Sequence, residues 1–264
     1  MTGVAAVGRV GGEVNMTASS TRSREAKLPS GSKSQPPRLL ERPATLAEGA
    51  YESIAASLME GGYVPGEKIA TRTLAAQLGV SLTPAREAVL RLVREGALEL
   101  FNARATVVPT LSLNRFKEIY CIRHSLEPNV AREAAERLTA DDIKSLERSL
   151  ERMTASYRRE DYRTAFRCDG EFHFRIYEAA GMPLVVSFIR AAWLRVGPTF
   201  RLLYPGFANP DDAIRIHEDA IAAAKTRSGP ELASAIERDL RRGEELLRRL
   251  LVSEQGRPQN GRLI

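Results

Sequence analysis

Four side chains in the second half of the chain have the types and spacing that metal coordination requires. Asp169 and His173 lie one helical turn apart, and His217 and Asp239 follow on later segments. Carboxylates and imidazoles together suit divalent first-row metals. All four interrupt apolar stripes: Phe172 and Ile176 beside the first pair, Ile214 and Ile221 around His217, Leu232, Ile236 and Leu247 around Asp239. An unpaired ion on an inward face costs several kcal/mol even after relaxation. Two arrangements satisfy these groups: separate Asp–His hydrogen-bonded pairs, or one divalent ion (Zn, Ni, Mn or Fe) shared by the set. Ser228 is equally far from His217 and Asp239, so an antiparallel hairpin turning there sets the two at one level. Arg123, on a stripe with Phe116, Ile119 and Val130, needs an anion: either Glu127 one turn on, or the carboxylate of a bound small molecule. Arg195 and Arg201 are further candidates for holding that small molecule, whereas His124 points off the stripe.

The elements that must position these residues are helical. From Ser112 onward the periodicity predicts six helices, 112–137, 140–158, 161–180, 183–204, 211–227 and 230–252, with Pro198 kinking the fourth; short connections make an antiparallel bundle. Ahead of it, Leu46, Ala50, Ile54 and Leu58 form one stripe, ended by Gly61-Gly62 and the turn Pro65-Gly66. A short helix spans Thr71 to Leu78. A longer one follows, with Thr83 as N-cap, Pro84 in its first turn and Ala85, Val89, Leu92 and Val93 inward. LELF and TVVP flank the polar turn Asn102-Ala-Arg-Ala as two strands. The fold class is mainly α: a winged helix-turn-helix over 44–110 and a helical bundle over 111–253, between a disordered basic tail at 1–43 and a frayed tail at 254–264.

Composition bounds the function class. Hydrophobic content of 43% and charged content of 27% are ordinary for a globular protein. Two cysteines without metal-finger spacing imply a reducing, cytoplasmic setting, and no apolar run is long enough for a membrane span. The net charge of +6 argues little for nucleic acid, because residues 1–43 carry +4 and residues 44–110 carry −1. Placement argues more: Arg72 in the first turn of one helix, Thr83 and Arg86 early in the next, and Arg104 at the hairpin tip suit contact with double-stranded DNA. Taken singly, each arginine is better read as a solvated surface residue; it is their joint placement on two helices and a hairpin tip that argues for DNA.

The run YVPGEKIATRTLAAQLGVSLTPAREAVLRLVREGALEL resembles the winged helix of GntR-family bacterial regulators. The resemblance implies DNA contact by Arg72, Ser81, Thr83 and Arg86. Two positions depart from it: Leu82 stands where the family has an arginine, and Ala105 where it has a wing-tip glycine. EIYCIRHSLEPNVAREAA, DGEFHFRIYEAAG and HEDAIAAA resemble the FCD effector domain of the FadR-type branch, and six helices in place of seven resemble its VanR-like subset. Many members of that branch carry a metal on one Asp and three His. Asp169, His173 and His217 match three positions, Asp239 replaces the fourth, and Arg123 matches an effector-binding position. The implied function is a one-component repressor, a homodimer on a two-fold operator, answering to a small carboxylate or sugar acid. The competing readings are a metal-dependent hydrolase and a DNA-binding protein whose bundle only dimerises.

Overall fold

The computed structural model describes residues 45–101, 105–204 and 210–255. The expected tail at 1–43, and Arg104 at the wing tip, lie outside them; of the frayed tail expected at 254–264, residues 256–264 lie outside and the first two end the last helix. The first unit is α1 (Leu46–Met59), β1 (Lys68–Ile69), α2 (Thr71–Leu78), α3 (Leu82–Arg94), β2 (Glu99–Phe101) and β3 (Ala105–Val107). The strands form an antiparallel sheet in the order β1-β3-β2, with Lys68 and Glu99 flanking Val107 and Phe101 opposite Ala105. β1, two residues long, has no periodicity to read and was not expected. Thr45 caps α1 by accepting from the Glu48 amide. Leu46, expected inward, is 68% exposed; Ala50, Tyr51, Ile54, Ala55 and Leu58 make the buried face.

Helix α3 starts two residues earlier than the sequence implied. Ser81, not Thr83, is its N-cap, and the Ser81 side chain makes no capping bond. Pro84 therefore falls at the third helical position, where a missing amide hydrogen still costs no intrahelical bond. Ala85, Ala88, Val89 and Leu92 are buried, and Val93 is half-buried. Gly79, left-handed at φ 65°, ends α2 and sets the turn into α3.

Six α-helices follow among the described residues: α4 (Leu113–Ala134), α5 (Ala140–Arg158), α6 (Tyr162–Ala179), α7 (Pro183–Phe200), α8 (Pro210–Lys225) and α9 (Gly229–Gln255). A capping box starts α5, in which Thr139 and Asp142 satisfy each other's amides. Pro183 opens α7, which runs through Pro198 and tightens into a 3-10 turn at Arg201–Leu203. Helix α4 packs on α9 and α7, while α5 packs on α6 and α8.

Helix α7 serves two cores. Ile189, Ala192, Trp193 and Val196 join the bundle cluster, while Leu194 joins the winged-helix cluster with Ile54, Leu58, Leu92 and Leu98. At Gly197 the approach is so close that a Cβ would sit 2.7 Å from the Leu58 carbonyl oxygen and 2.8 Å from Met59 Cα. Only glycine lets α1 and α7 meet backbone to backbone there. Arg201 donates to the Gly61 carbonyl, and Arg195 lies against Gly96. Both arginines, expected as effector candidates, thus lean on the winged helix.

Candidate functional site

Helices α6, α8 and α9 bring the four expected ligands together. Asp169, His173 and His217 each offer one atom within 4.8 Å of the others. His217 Nε2 lies 3.1 Å from Asp169 Oδ1, and His173 Nε2 is 3.7 Å from the same oxygen. Asp239 meets the cluster at His173, with Oδ2 3.3 Å from Nε2. Each carboxylate therefore contacts an imidazole from another helix. His217 and Asp239, expected to face one another across the last turn, make their closest ion contacts to α6 instead.

The ring hydrogens follow from the surroundings. His217 Nδ1 lies 2.8 Å from the Ala213 carbonyl, an acceptor only, so Nδ1 carries the hydrogen. The Tyr177 hydroxyl donates to Glu127 Oε2 at 2.7 Å, leaving its oxygen to accept from His173 Nδ1 at 3.1 Å. In both rings the lone pair then falls on Nε2. Both Nε2 atoms are buried, and although they face carboxylate oxygens at 3.1 and 3.3 Å, neither meets its carboxylate in good hydrogen-bond geometry. Two lone pairs thus face two carboxylates, an arrangement that only a proton or a cation relieves. The same field acts on His217: burial opposes its protonation, but Asp169 and Asp239 outweigh burial and raise its pKa to about 9. For Asp239, burial disfavours the charge, yet His173 and His217 hold the carboxyl well below its usual range.

Behind His173 stands a group that reading the sequence named only as a structural partner. Glu127, 0% exposed, accepts from Arg123 Nε at 2.6 Å and Nη2 at 3.3 Å, from Tyr177, and from Trp193 Nε1 at 3.0 Å. Of the two partners open to Arg123, the structure shows Glu127, bound bidentately. Arg123 Nη1 still reaches the Tyr120 hydroxyl at 3.4 Å, and the guanidinium lies 4.7 Å from the Trp193 ring. Tyr177 is i+4 from His173 as Glu127 is from Arg123, a spacing visible in sequence. Trp193 comes from α7 and has no such signal.

A partly enclosed cavity of about 50 Å³ adjoins the cluster, and its walls include Asp169, Asp239, Arg123 and Arg242. Phe166, Phe200 and Tyr204 form an aromatic side. Arg242, one turn beyond Asp239, was missed because it reads as a surface residue of α9. His124, off the inward stripe, is half-buried: its nitrogens lie 3.3 Å from Glu237 and 2.9 Å from Glu244, tying α4 to α9.

On the winged helix, Arg72, Ser81, Thr83 and Arg86 are all exposed around α2 and the start of α3. Leu82 between them is 49% exposed, an apolar side chain on a polar face. Ala105, at the family's glycine position, lies in β3 and pairs with Phe101. No helix among the described residues is long and apolar enough to cross a membrane.

The two halves match known families. Residues 46–108 match the bacterial regulatory proteins of the gntR family, and residues 118–242 match the FCD domain. The HTH-type transcriptional regulator McbR of Escherichia coli (strain K12) is 36% identical over 144 residues, 54% of this chain and 65% of that protein. The alignment thus spans just under two thirds of that relative. The gluconate operon transcriptional repressor of Bacillus subtilis (strain 168) is 30% identical over 236 residues, covering 83% of this chain and 92% of that one. The solved structure of E. coli McbR/YncC superposes with a TM-score of 0.73 at 29% identity, over 78% of this chain and 98% of that one. A regulator structure from Rhodococcus sp. RHA1 shares the fold, with a TM-score of 0.62 at 15% identity, over 76% and 96% of the two chains. A winged helix carried on an FCD bundle defines a transcriptional regulator. This chain belongs to the GntR family, in its FadR-type branch.

Proposed function

We propose that the protein is a one-component repressor, a homodimer that binds a two-fold DNA operator and answers to a small carboxylate or sugar acid in the bundle cavity. The observation that carries the effector reading is the pair of buried Nε2 atoms facing Asp169 and Asp239 on the wall of a cavity that also presents Arg123 and Arg242. This donor set fits a divalent metal, held by Asp169, His173 and His217 with Asp239 beside them. The ion would supply positive charge for an effector carboxylate. Arg123 contributes through Nη1, since its other nitrogens serve Glu127.

DNA contact is assigned to Arg72, Ser81, Thr83 and Arg86, with Arg104 a fifth candidate. Their exposure around the α3 N-terminus supports this, because amides there attract phosphate and side chains there reach base edges. Ser81, with no capping bond of its own, has its hydroxyl available for a phosphate oxygen. Helix α7 is the route between the sites: Trp193 and Phe200 line the cavity, and Gly197 touches α1. A ligand that shifts α7 would move the winged helix with it and change half-site spacing.

The test pairs two measurements on wild type and His217→Ala. Operator affinity is read by fluorescence anisotropy, and the melting temperature is followed across an organic-acid series with added Zn²⁺, Ni²⁺ or Mn²⁺ and with chelator. The expected result is a carboxylate- and metal-dependent rise in melting temperature, with weakened operator binding, in wild type alone. The variant keeps its operator affinity and loses the response. Equal operator affinity with and without a bound carboxylate would sink the proposal.

A further inference from the structure

Gly243 lies inside α9, yet its backbone does not call for glycine. It is absent from the left-handed glycines, which are Gly61, Gly66, Gly79, Gly96 and Gly181 among the described residues. Inside a helix glycine is a poorer former than alanine, because it surrenders more backbone freedom and buries nothing. Some other demand must keep a side chain away from this position.

The surroundings of the missing Cβ identify that demand. A Cβ at Gly243 would lie 3.3 Å from the Tyr120 hydroxyl oxygen and 3.6 Å from Phe200 Cε1. Both residues are walls of the cavity beside the Asp/His cluster, and Gly243 itself lines it. Gly197 is the instructive contrast, since its Cβ would strike the backbone of Leu58 and Met59, so there the hydrogen is needed for packing. At Gly243 the neighbours are side-chain tips facing an open space.

We infer that Gly243 determines effector specificity by size: the volume left by its absent side chain is part of the ligand's seat. The inference rests on the reading that this cavity is the effector site, and it narrows the ligand class. The seat suits a compact carboxylate with a short apolar body. Its acid group would face the Arg123 and Arg242 side, and its body would lie over Gly243 against Phe200. In a cavity of about 50 Å³ one added methyl removes a large share of the space.

The experiment uses the full chain with Mn²⁺ and a graded series: formate, acetate, malonate, succinate, benzoate and citrate. Melting temperature and calorimetric Kd are measured for wild type, Gly243→Ala and Gly243→Leu. Gly243→Ala should melt no lower than wild type without ligand. It should lose roughly tenfold or more in affinity for the largest acid that wild type binds, the discrimination one methyl gives in a tight pocket, and little for the smallest. Gly243→Leu should extend the loss to the whole series. Unchanged affinities across the series would overturn the inference. A lowered melting temperature with uniform loss would also overturn it, because that is how a packing glycine behaves. If no acid stabilises wild type, the effector reading falls first and this inference falls with it.

Discussion

In the winged helix, Arg72, Ser81, Thr83 and Arg86 stand in solvent above an apolar cluster that includes Ile54, Leu58, Leu92 and Leu98. In the bundle the order is inverted, for Arg123, Glu127, His173 and His217 are each 3% exposed or less and are surrounded by the largest apolar cluster. A surface reader can exchange a side chain at little cost to folding. A buried network cannot, because one carboxylate, Glu127, satisfies Arg123, Tyr177 and Trp193 together. Arginine, the one type common to both sets, therefore has different freedom in the two units.

The sharpest way to break this contrast is Glu127→Ala. It strips the buried Arg123 of its anion and Tyr177 and Trp193 of their acceptor, which should cost about 3–5 kcal/mol in chemical denaturation. Retention of wild-type stability would mean the network is not what holds this part of the bundle. Gly197→Val probes the seam between the units. The added atoms meet backbone, so a loss of about 1–3 kcal/mol is expected, with operator affinity altered as well. Arg86→Ala should do the reverse: a loss of about 1–3 kcal/mol in operator binding, read by anisotropy, with the melting temperature unchanged. The smallest effects separate two helix caps. Thr139→Ala removes a complete capping box and should cost about 1 kcal/mol, whereas Ser81→Ala removes a hydroxyl that caps nothing and should change stability by less than about 0.5 kcal/mol. If Ser81→Ala proves as costly as Thr139→Ala, Ser81 belongs to folding and not to DNA.

Periodicity made the helices legible, since an amphipathic stripe is local information. It also put Asp169, His173, His217 and Asp239 on inward faces. Counting from Ser228 does not say which neighbour a side chain meets, which is why the crossed contacts, His217 to Asp169 and Asp239 to His173, needed the folded chain. Thr83-Pro84 misled at α3 because proline is tolerated throughout the first turn, so its position does not mark the first residue. β1 escaped notice because two residues carry no period, and its pairing with β3 is decided far away in sequence. Glu127 was visible only as a partner for Arg123. Its bonds to Tyr177 and Trp193 come from three helices converging, and no spacing along one helix encodes that.

The backbone contact at Gly197 also bears on how such proteins are built and rebuilt. Because α7 supplies Leu194 to the winged-helix core and its glycine seats Leu58 and Met59, the first unit is unfinished without that helix. A hybrid regulator cut at the connection before α4 would leave the DNA-reading module with an open flank. One that transplants residues 45–110 together with the matching surface of α7, from Leu194 to Arg201, should keep both its solubility and its wiring.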